Sequence, residues 1–480
     1  MADQVDPGGP SPVESGGHGT TASKAVLGRG LLYTVGTAAP VLSNAIITPF
    51  VTRLLGPHDY GVVATALVVI QVGMIIAGLG MGAAITRHGI LEDSGVEGAR
   101  SLVHRGALAS LLVAGLAGLA VQPLGRLVGI DDHTALLLAF VAAAGFSVVV
   151  NVQAYLRVLD RPFPFVLLSL GAALGGPALG LALVVRGDGT SAEYLGGLAV
   201  GYLVTALGGL ALTIQRSRHV RGDTRRALRV GLPTIPHQVA LYLAGGALVL
   251  VAGHLYDTAE AGRLQLAVLI GSAPGVVTAS LNNAWAPIVY RTDPEHRGEV
   301  LEHTSRDIAA LAALAAGFVA FIAPALLRIA APSNYDPTQL TPAVGIVAIG
   351  TVLSVFYLAN VHLVFASGRS SGLAIVTPVA LLVGVGAAWL AGFAVSLTAI
   401  SVGMTVTYAV MAAGVAGLAR RVSPTRWRVS RLAVPLGVGT LLCVLGAAAP
   451  TVGPWLVVRW IVASVLAVLS LLVLWRVLAR

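Results

Sequence analysis

Arginine recurs in every second gap between hydrophobic stretches, and this alternation confines the chain to one kind of architecture. About fourteen apolar stretches of roughly 17–25 residues follow one another, each long enough to cross a bilayer as a helix. The odd-numbered gaps are short and carry little positive charge. The even-numbered gaps, together with the chain ends, hold 24 of the 30 Lys and Arg residues, leaving Arg53, Arg126, Arg186, Arg263, Arg328 and Arg459 near the other side. Basic gaps stay in the cytoplasm. The expected fold is therefore an all-α polytopic membrane protein of about 14 transmembrane helices, with both termini cytoplasmic.

Composition agrees. The chain is 56% hydrophobic and 11% charged, against about 25% charged in a soluble domain. Its net charge of +9 follows from orienting arginines beside an anionic inner leaflet. Because that charge is dispersed among helix ends, it forms no nucleic-acid-binding face. Cys443 is the single cysteine, so no intramolecular disulfide can form. His237 and His362 are too isolated to make a metal site, and no cofactor is called for.

Residues 1–28, rich in Gly, Pro and Ser at their start, read as a disordered cytoplasmic tail without the apolar core of a cleavable signal. No later gap exceeds about twenty residues, which leaves no room for a folded domain outside the membrane. A membrane glycosyltransferase or polymerase needs such a loop to carry its catalytic groups. The chain therefore reads as a transporter and not an enzyme.

An internal repeat points the same way. The gap LLGPHDYGVVATAL corresponds to HLYDTAEAGRLQLAVL, placing Gly61 and Gly262 at an offset of 201. PLGRLVGIDDH likewise corresponds to PALLRIAAPSNYD, placing Arg126 and Arg328 at an offset of 202. Two distant pairs at one offset define two related six-helix halves, 29–214 and 232–418, joined by an Arg-rich cytoplasmic linker, 215–231. Residues 419–480 add two further helices. Odd and even elements correspond, so the halves are related by an axis along the membrane normal. Transporters of this kind hold substrate between their halves.

The 21 acidic residues fall in gaps or in the tail, which disfavours an exporter driven through a buried carboxylate. The polar residues at depth or near helix ends include Asn44, His237, Gln265, Asn282 and Asn360. Each could serve a plain helix–helix hydrogen bond, but their recurrence across several spans favours a shared polar cavity. Arg53 and Arg263 sit at outer helix ends, where orientation does not call for arginine. Snorkelling to the interface is one reading; bidentate binding of a phosphate is the other. Arg87, at the cytoplasmic end of the second span, either anchors that end or serves a cavity open inward. Pro40, Pro49, Pro233, Pro236 and Pro274 predict kinks in the first, seventh and eighth spans.

The segment TRLLGPHDYGVVATALVVIQVGMIIAGLGMGAAITRHG, with Leu55, Gly56, Asp59, Tyr60 and Gly61 in its turn and Gly80, Gly82 and Arg87 at its end, resembles the N-terminal signature of Wzx-type polysaccharide flippases. These belong to the multidrug/oligosaccharidyl-lipid/polysaccharide exporter superfamily. YLRVLDRPFPFVLLSLGAAL and VFASGRSSGLAIVTPVALLVGVG are similar to two further junctions of the family, and the resemblance covers roughly residues 28–420. It implies a multi-pass protein of the bacterial inner membrane that moves polyprenyl-pyrophosphate-linked oligosaccharide between leaflets for cell-surface polysaccharide biosynthesis, with membrane lipids around it and a polysaccharide polymerase as a possible partner. The alternative within the superfamily is a multidrug or small-solute exporter. AGRLQLAVLIGSAPGVV resembles the eighth-helix motif of the related lipid II flippases, whose arginines line a cationic cavity. That implies a substrate-binding role for Arg263; Arg53 and Arg87 match those arginines by helix only.

Overall fold

A computed structural model describes residues 39–40, 42–214 and 224–478, and every regular element among them is helical. The 1–28 tail and residues 215–223 of the expected linker lie outside the described residues. Twelve helical segments are long and apolar enough to cross a bilayer, or thirteen if one bent pair is counted as a single span. The protein is a multi-pass membrane protein.

The helices begin and end where local chemistry dictates. Helix α1 covers residues 42–54. Then α2 (Pro57–Ala77) opens with proline in its first turn and Asp59 beside the exposed N–H groups, both favoured at a helix start. A turn at residues 78–80 separates α2 from α3 (Met81–Leu91), with Leu79 at φ 49° and Gly80 at φ 66°. Gly80 serves here because it takes left-handed backbone without penalty, and because a Cβ on it would lie 2.3 Å from the Gly231 carbonyl oxygen.

Next come α4 (Gly95–Leu119), α5 (Val121–Val128) and α6 (His133–Val158), the last capped by Asp132, which accepts from the Thr134 and Ala135 amides. Helices α7 (Pro162–Leu170) and α8 (Gly176–Arg186) are joined by a π-helical turn at Gly171–Gly175. The hydroxyl of Ser43 donates to the Ala173 carbonyl inside that turn. A capping box between Thr190 and Glu193 starts α9 (Ser191–Ala211). The second part of the expected linker is helical: α10 (Thr224–Gly231) packs on α3 and runs through a 3₁₀ turn into α11 (Ile235–Leu255).

Asp257 caps α12 (Thr258–Ser272). This helix is bent by 46° against α13 (Pro274–Arg291), where Pro274 withholds the N–H that would continue the ladder. Helices α14 (Arg297–Ala330), α15 (Thr341–Ala366), α16 (Leu373–Ala394) and α17 (Val402–Val422) follow, and α18 (Ser430–Ala448) and α19 (Trp455–Leu478) close the chain against α14. Helix α14 begins earlier than the apolar stretch does. Glu299, Glu302 and Asp307 thus sit on the first three turns of a helix that is longer than a single crossing needs.

The buried apolar residues show how the bundle is divided. At the arginine-poor end one cluster is continuous across the molecule, joining Val63 and Ala66 of α2, Leu136 of α6 and Leu195 of α9 to Leu264 of α12 and Val347 of α15. At the arginine-rich end the core separates in two. One cluster gathers Met81, Leu102, Val149 and Phe165 from α3, α4, α6 and α7. The other gathers Val289, Leu301, Val355 and Met411 from α13, α14, α15 and α17. The buried core is continuous at one end and divided at the other.

Candidate functional site

The joined end is built on two glycines. A Cβ on Gly61 would lie 1.7 Å from the Thr258 carbonyl oxygen, and one on Gly262 would lie 2.9 Å from the Pro57 carbonyl oxygen and 2.8 Å from the Gly61 nitrogen. No other residue allows α2 and α12 to cross so closely, as small residues do in membrane bundles generally. The contact is reciprocal. Gly61 meets Thr258, one turn before Gly262, and Gly262 meets Pro57, one turn before Gly61. An isologous contact about a two-fold axis has this form.

The loop between α14 and α15 locks this crossing. Tyr335, fully buried, donates its hydroxyl to the Leu55 carbonyl at 2.7 Å and packs edge-on against Tyr60. Thr52 donates to the Ala330 carbonyl at 2.6 Å. Arg53 donates to the Ile329 carbonyl at 3.0 Å and to Pro49 of its own helix at 2.6 Å. From the other group, Arg263 donates Nε to the Tyr335 carbonyl at 2.9 Å and Nη1 to Glu260 at 2.7 Å, with the Asp336 carboxylate 3.7 Å away. The structure therefore brings Arg53 to the last turn of α14 and Arg263 to the loop after it. Arg53 gives Nη1 to two backbone carbonyls, and Arg263 is held by the Tyr335 carbonyl and the Glu260 carboxylate.

Deeper in the seam, Asn44 and Gln265 line one small crevice with Thr48, Tyr60 and Tyr194. Its volume of about 10 Å³ is at the lower limit for a single water. The remaining expected residues disperse. His237 pairs with Thr377 at 3.0 Å, and Asn360 donates to Phe356 of its own helix at 2.9 Å. Arg87 is exposed on α3.

Among the expected residues, Asn282 alone reaches a sizeable cavity, mainly apolar with hydroxyls set into its walls, of about 420 Å³, between α11, α12–α13, α15 and α17. Leu241, Leu358 and Met404 supply apolar wall; Ser272, Thr278, Thr351, Ser354, Tyr357 and Tyr408 supply hydroxyls. Most of these hydroxyl residues escape a reading of the sequence, because a lone Ser or Thr in an apolar helix carries no signal of where it faces. The bend between α12 and α13 places Ser272, Thr278 and Asn282 together on its wall.

Arg459 falls near the outer side by sequence, with nothing there to suggest a role. It is 2% exposed and donates to five backbone carbonyls: Ala320 and Phe321 of α14, Gly446 of α18, and Ala449 and Pro450 beyond α18. Carbonyls at a helix C-terminus are otherwise unpaired and carry partial negative charge. Arg459 thus fastens the last two helices to α14.

Solved structures share this fold. An inward-facing multidrug resistance MATE family transporter of the MOP superfamily superimposes with a TM-score of 0.62 at 19% identity, over 84% of this chain and 98% of that one. The lipid II flippase MurJ in an inward closed conformation gives 0.67 at 13% identity, over 93% and 99%. A MOP superfamily transporter from Pyrococcus furiosus, noted for reverse polarity of its binding pocket, gives 0.54 at 20% identity, over 83% and 95%. No curated protein sequence matches the chain. A family profile matches residues 28–292, more than half of the sequence, and the chain belongs to the polysaccharide biosynthesis protein family.

Proposed function

We propose that the protein is a flippase that moves a polyprenyl-pyrophosphate-linked oligosaccharide from the inner to the outer leaflet of the bacterial inner membrane by alternating access. The observation that carries this reading is the divided core: one apolar cluster joins the two helix groups at the arginine-poor end, and the buried residues fall into separate clusters at the other. Under the positive-inside rule the arginine-rich end is cytoplasmic, so the molecule is closed outward and parted inward, ready to receive substrate from the cytoplasmic leaflet. In this reading the halves are 29–214 and 232–418, fourteen helices cross the membrane and both termini are cytoplasmic.

Rocking the halves breaks the contacts of Thr52, Arg53 and Leu55 with α14 and the loop after it and frees the guanidinium group of Arg53. Arg263 keeps Tyr335 and Glu260 of its own half until an anion competes for it. An anionic pyrophosphate then replaces the carbonyls and Glu260 as their partner, since arginine's forked donors suit phosphate oxygens. The polyprenyl tail stays in lipid throughout. Asn44 and Gln265 hold the seam while it is closed, Arg87 meets the head group at the cytoplasmic mouth, and His237 and Asn360 keep the helices around the path in place. Family membership supports a place in polysaccharide biosynthesis; in this reading the cargo is the lipid-linked glycan and a polysaccharide polymerase is the next protein to act on it.

The test is reconstitution in proteoliposomes with a fluorescent polyprenyl-pyrophosphate oligosaccharide, following its exposure to an added glycosidase. The expected result is protein-dependent loss of the protected inner pool; an unchanged pool overturns the proposal. Likeness to multidrug transporters favours a second reading, export of small solutes. It predicts that expression lowers sensitivity to cationic drugs while the lipid-linked pool stays put.

A further inference from the structure

We propose that the cavity between α11, α12–α13, α15 and α17 is a subsite for neutral sugar residues, an inference that rests on the flippase reading for the source of those sugars. Its volume of about 420 Å³ lies within the range of ligand pockets, about 300–1,000 Å³. The argument comes from what its walls can and cannot pair with.

None of the residues lining the cavity is Asp, Glu, Lys or Arg. An ion brought into it would lose its hydration without meeting a counter-charge. That disfavours both the pyrophosphate and a cationic drug as occupant. Yet the walls are not merely apolar. Thr278 Oγ1 and the Asn282 Oδ1 oxygen are buried with no hydrogen-bond partner among the described residues, a condition that costs about 1–3 kcal/mol per group when left unfilled. Both are on the helix whose start the bend redirects.

Opposite them, Thr351 and Ser354 direct their hydroxyl protons to the Ala348 and Thr351 carbonyls at 2.7 and 2.6 Å. Their oxygens are left as acceptors toward the cavity. The occupant must therefore donate several hydrogen bonds, carry no charge, and present C–H surface to Leu241, Leu358 and Met404. A sugar ring has this make-up, with hydroxyls around its edge and C–H groups on its faces. Arg263 lies nine residues before Ser272 on α12, about 14 Å along the helix axis. The anionic and the neutral parts of one long head group can thus be held on a single helix at separate places.

The experiment uses purified full-length protein carrying Ser280→Cys, at an exposed position on the cavity wall, in a Cys443→Ala background. The rate of alkylation at position 280 is measured with a panel of neutral methyl glycosides at tens of millimolar, and with inorganic pyrophosphate. The expected result is a slowing of about threefold by at least one glycoside, the factor reached at twice its dissociation constant. Pyrophosphate should have no effect, and Thr278→Val with Asn282→Leu should remove the protection. Ser354→Ala, a milder change, should weaken it if the double variant does not fold. Absence of protection by every glycoside, or protection by pyrophosphate alone, overturns the proposal.

Lipid transport by the same protein is followed separately in proteoliposomes. Protection accompanied by movement of the free glycoside, with no movement of the lipid-linked glycan, keeps the subsite and overturns the flippase reading. Movement of the lipid-linked glycan without protection by any glycoside keeps the reading and overturns the subsite.

Discussion

Arg263 combines two demands that arise from its place on α12. Its guanidinium is shared between Glu260 and the Tyr335 carbonyl, and charge-assisted hydrogen bonds of this kind are worth about 1.5–3 kcal/mol each. Arg263→Ala should remove the outer-leaflet appearance of lipid-linked glycan while leaving membrane insertion intact; normal outer-leaflet glycan in that variant removes Arg263 from the mechanism. Arg263→Lys keeps the charge but loses the fork, so partial activity is expected. Tyr335→Phe deletes only the hydroxyl that reaches Leu55. It should weaken closure of this end by about 1 kcal/mol, read as roughly fivefold faster labelling of a cysteine placed at the buried Ala330. At this scale the sequence shows which residues are out of place and not what they touch. Asn44 and Gln265 line one crevice in the seam, whereas Asn360 spends its amide on its own helix. Arg459 looks like one more residue at a helix end, because five backbone acceptors leave no trace in composition.

Among the elements, the crossing of α2 and α12 is the least tolerant of added volume. Gly61→Ala places a methyl against the Thr258 backbone, which cannot swing aside as a side chain can. A cost of about 1–3 kcal/mol is expected, seen as a lower melting temperature and faster labelling at the arginine-poor end. Gly115→Ala, facing open space, should change neither. The shared offset of 201 marks Gly61 and Gly262 as counterparts. It cannot say that they touch, because spacing carries no information on where an axis passes. Proline is likewise a partial guide to bends. Pro274 does mark the break between α12 and α13, but α2 and α3 part at Leu79 and Gly80 without any proline. Conversely, Pro324 and Pro378 lie inside α14 and α16, which continue past them. A missing N–H bends a helix only where packing does not hold it straight.

For the whole molecule, the arginine pattern predicts that a fluorescent protein fused after Arg480 folds and fluoresces in the cytoplasm, while an alkaline phosphatase fused there is inactive. The opposite result overturns the orientation on which inward parting rests. Truncation after Val422 should lower the melting temperature by several degrees, since it strips α18 and α19, with Arg459, from the side of α14. The all-helical, membrane-crossing character is legible because lipid leaves every backbone group to be satisfied within its own helix, so hydropathy and charge alone mark the spans. The divided core is not, because Val and Leu read alike whether they join two halves or pack within one.

The glycine crossing lies close to one end of two long helices, and that position makes it a fulcrum with unequal arms. From Gly61 back to Pro57 is four residues, about 6 Å, whereas from Gly262 forward to Arg291 is 29 residues, roughly 40 Å. A rotation of about 10° would shift the short arm by about 1 Å and the long arm by about 7 Å. The arginine-rich end can therefore shift by the width of a sugar ring while the hydrogen bonds around Tyr335 are stretched but not broken. Only a larger swing unseats them, so on the flippase reading small thermal motions would load the carrier and a rarer, larger one would discharge it.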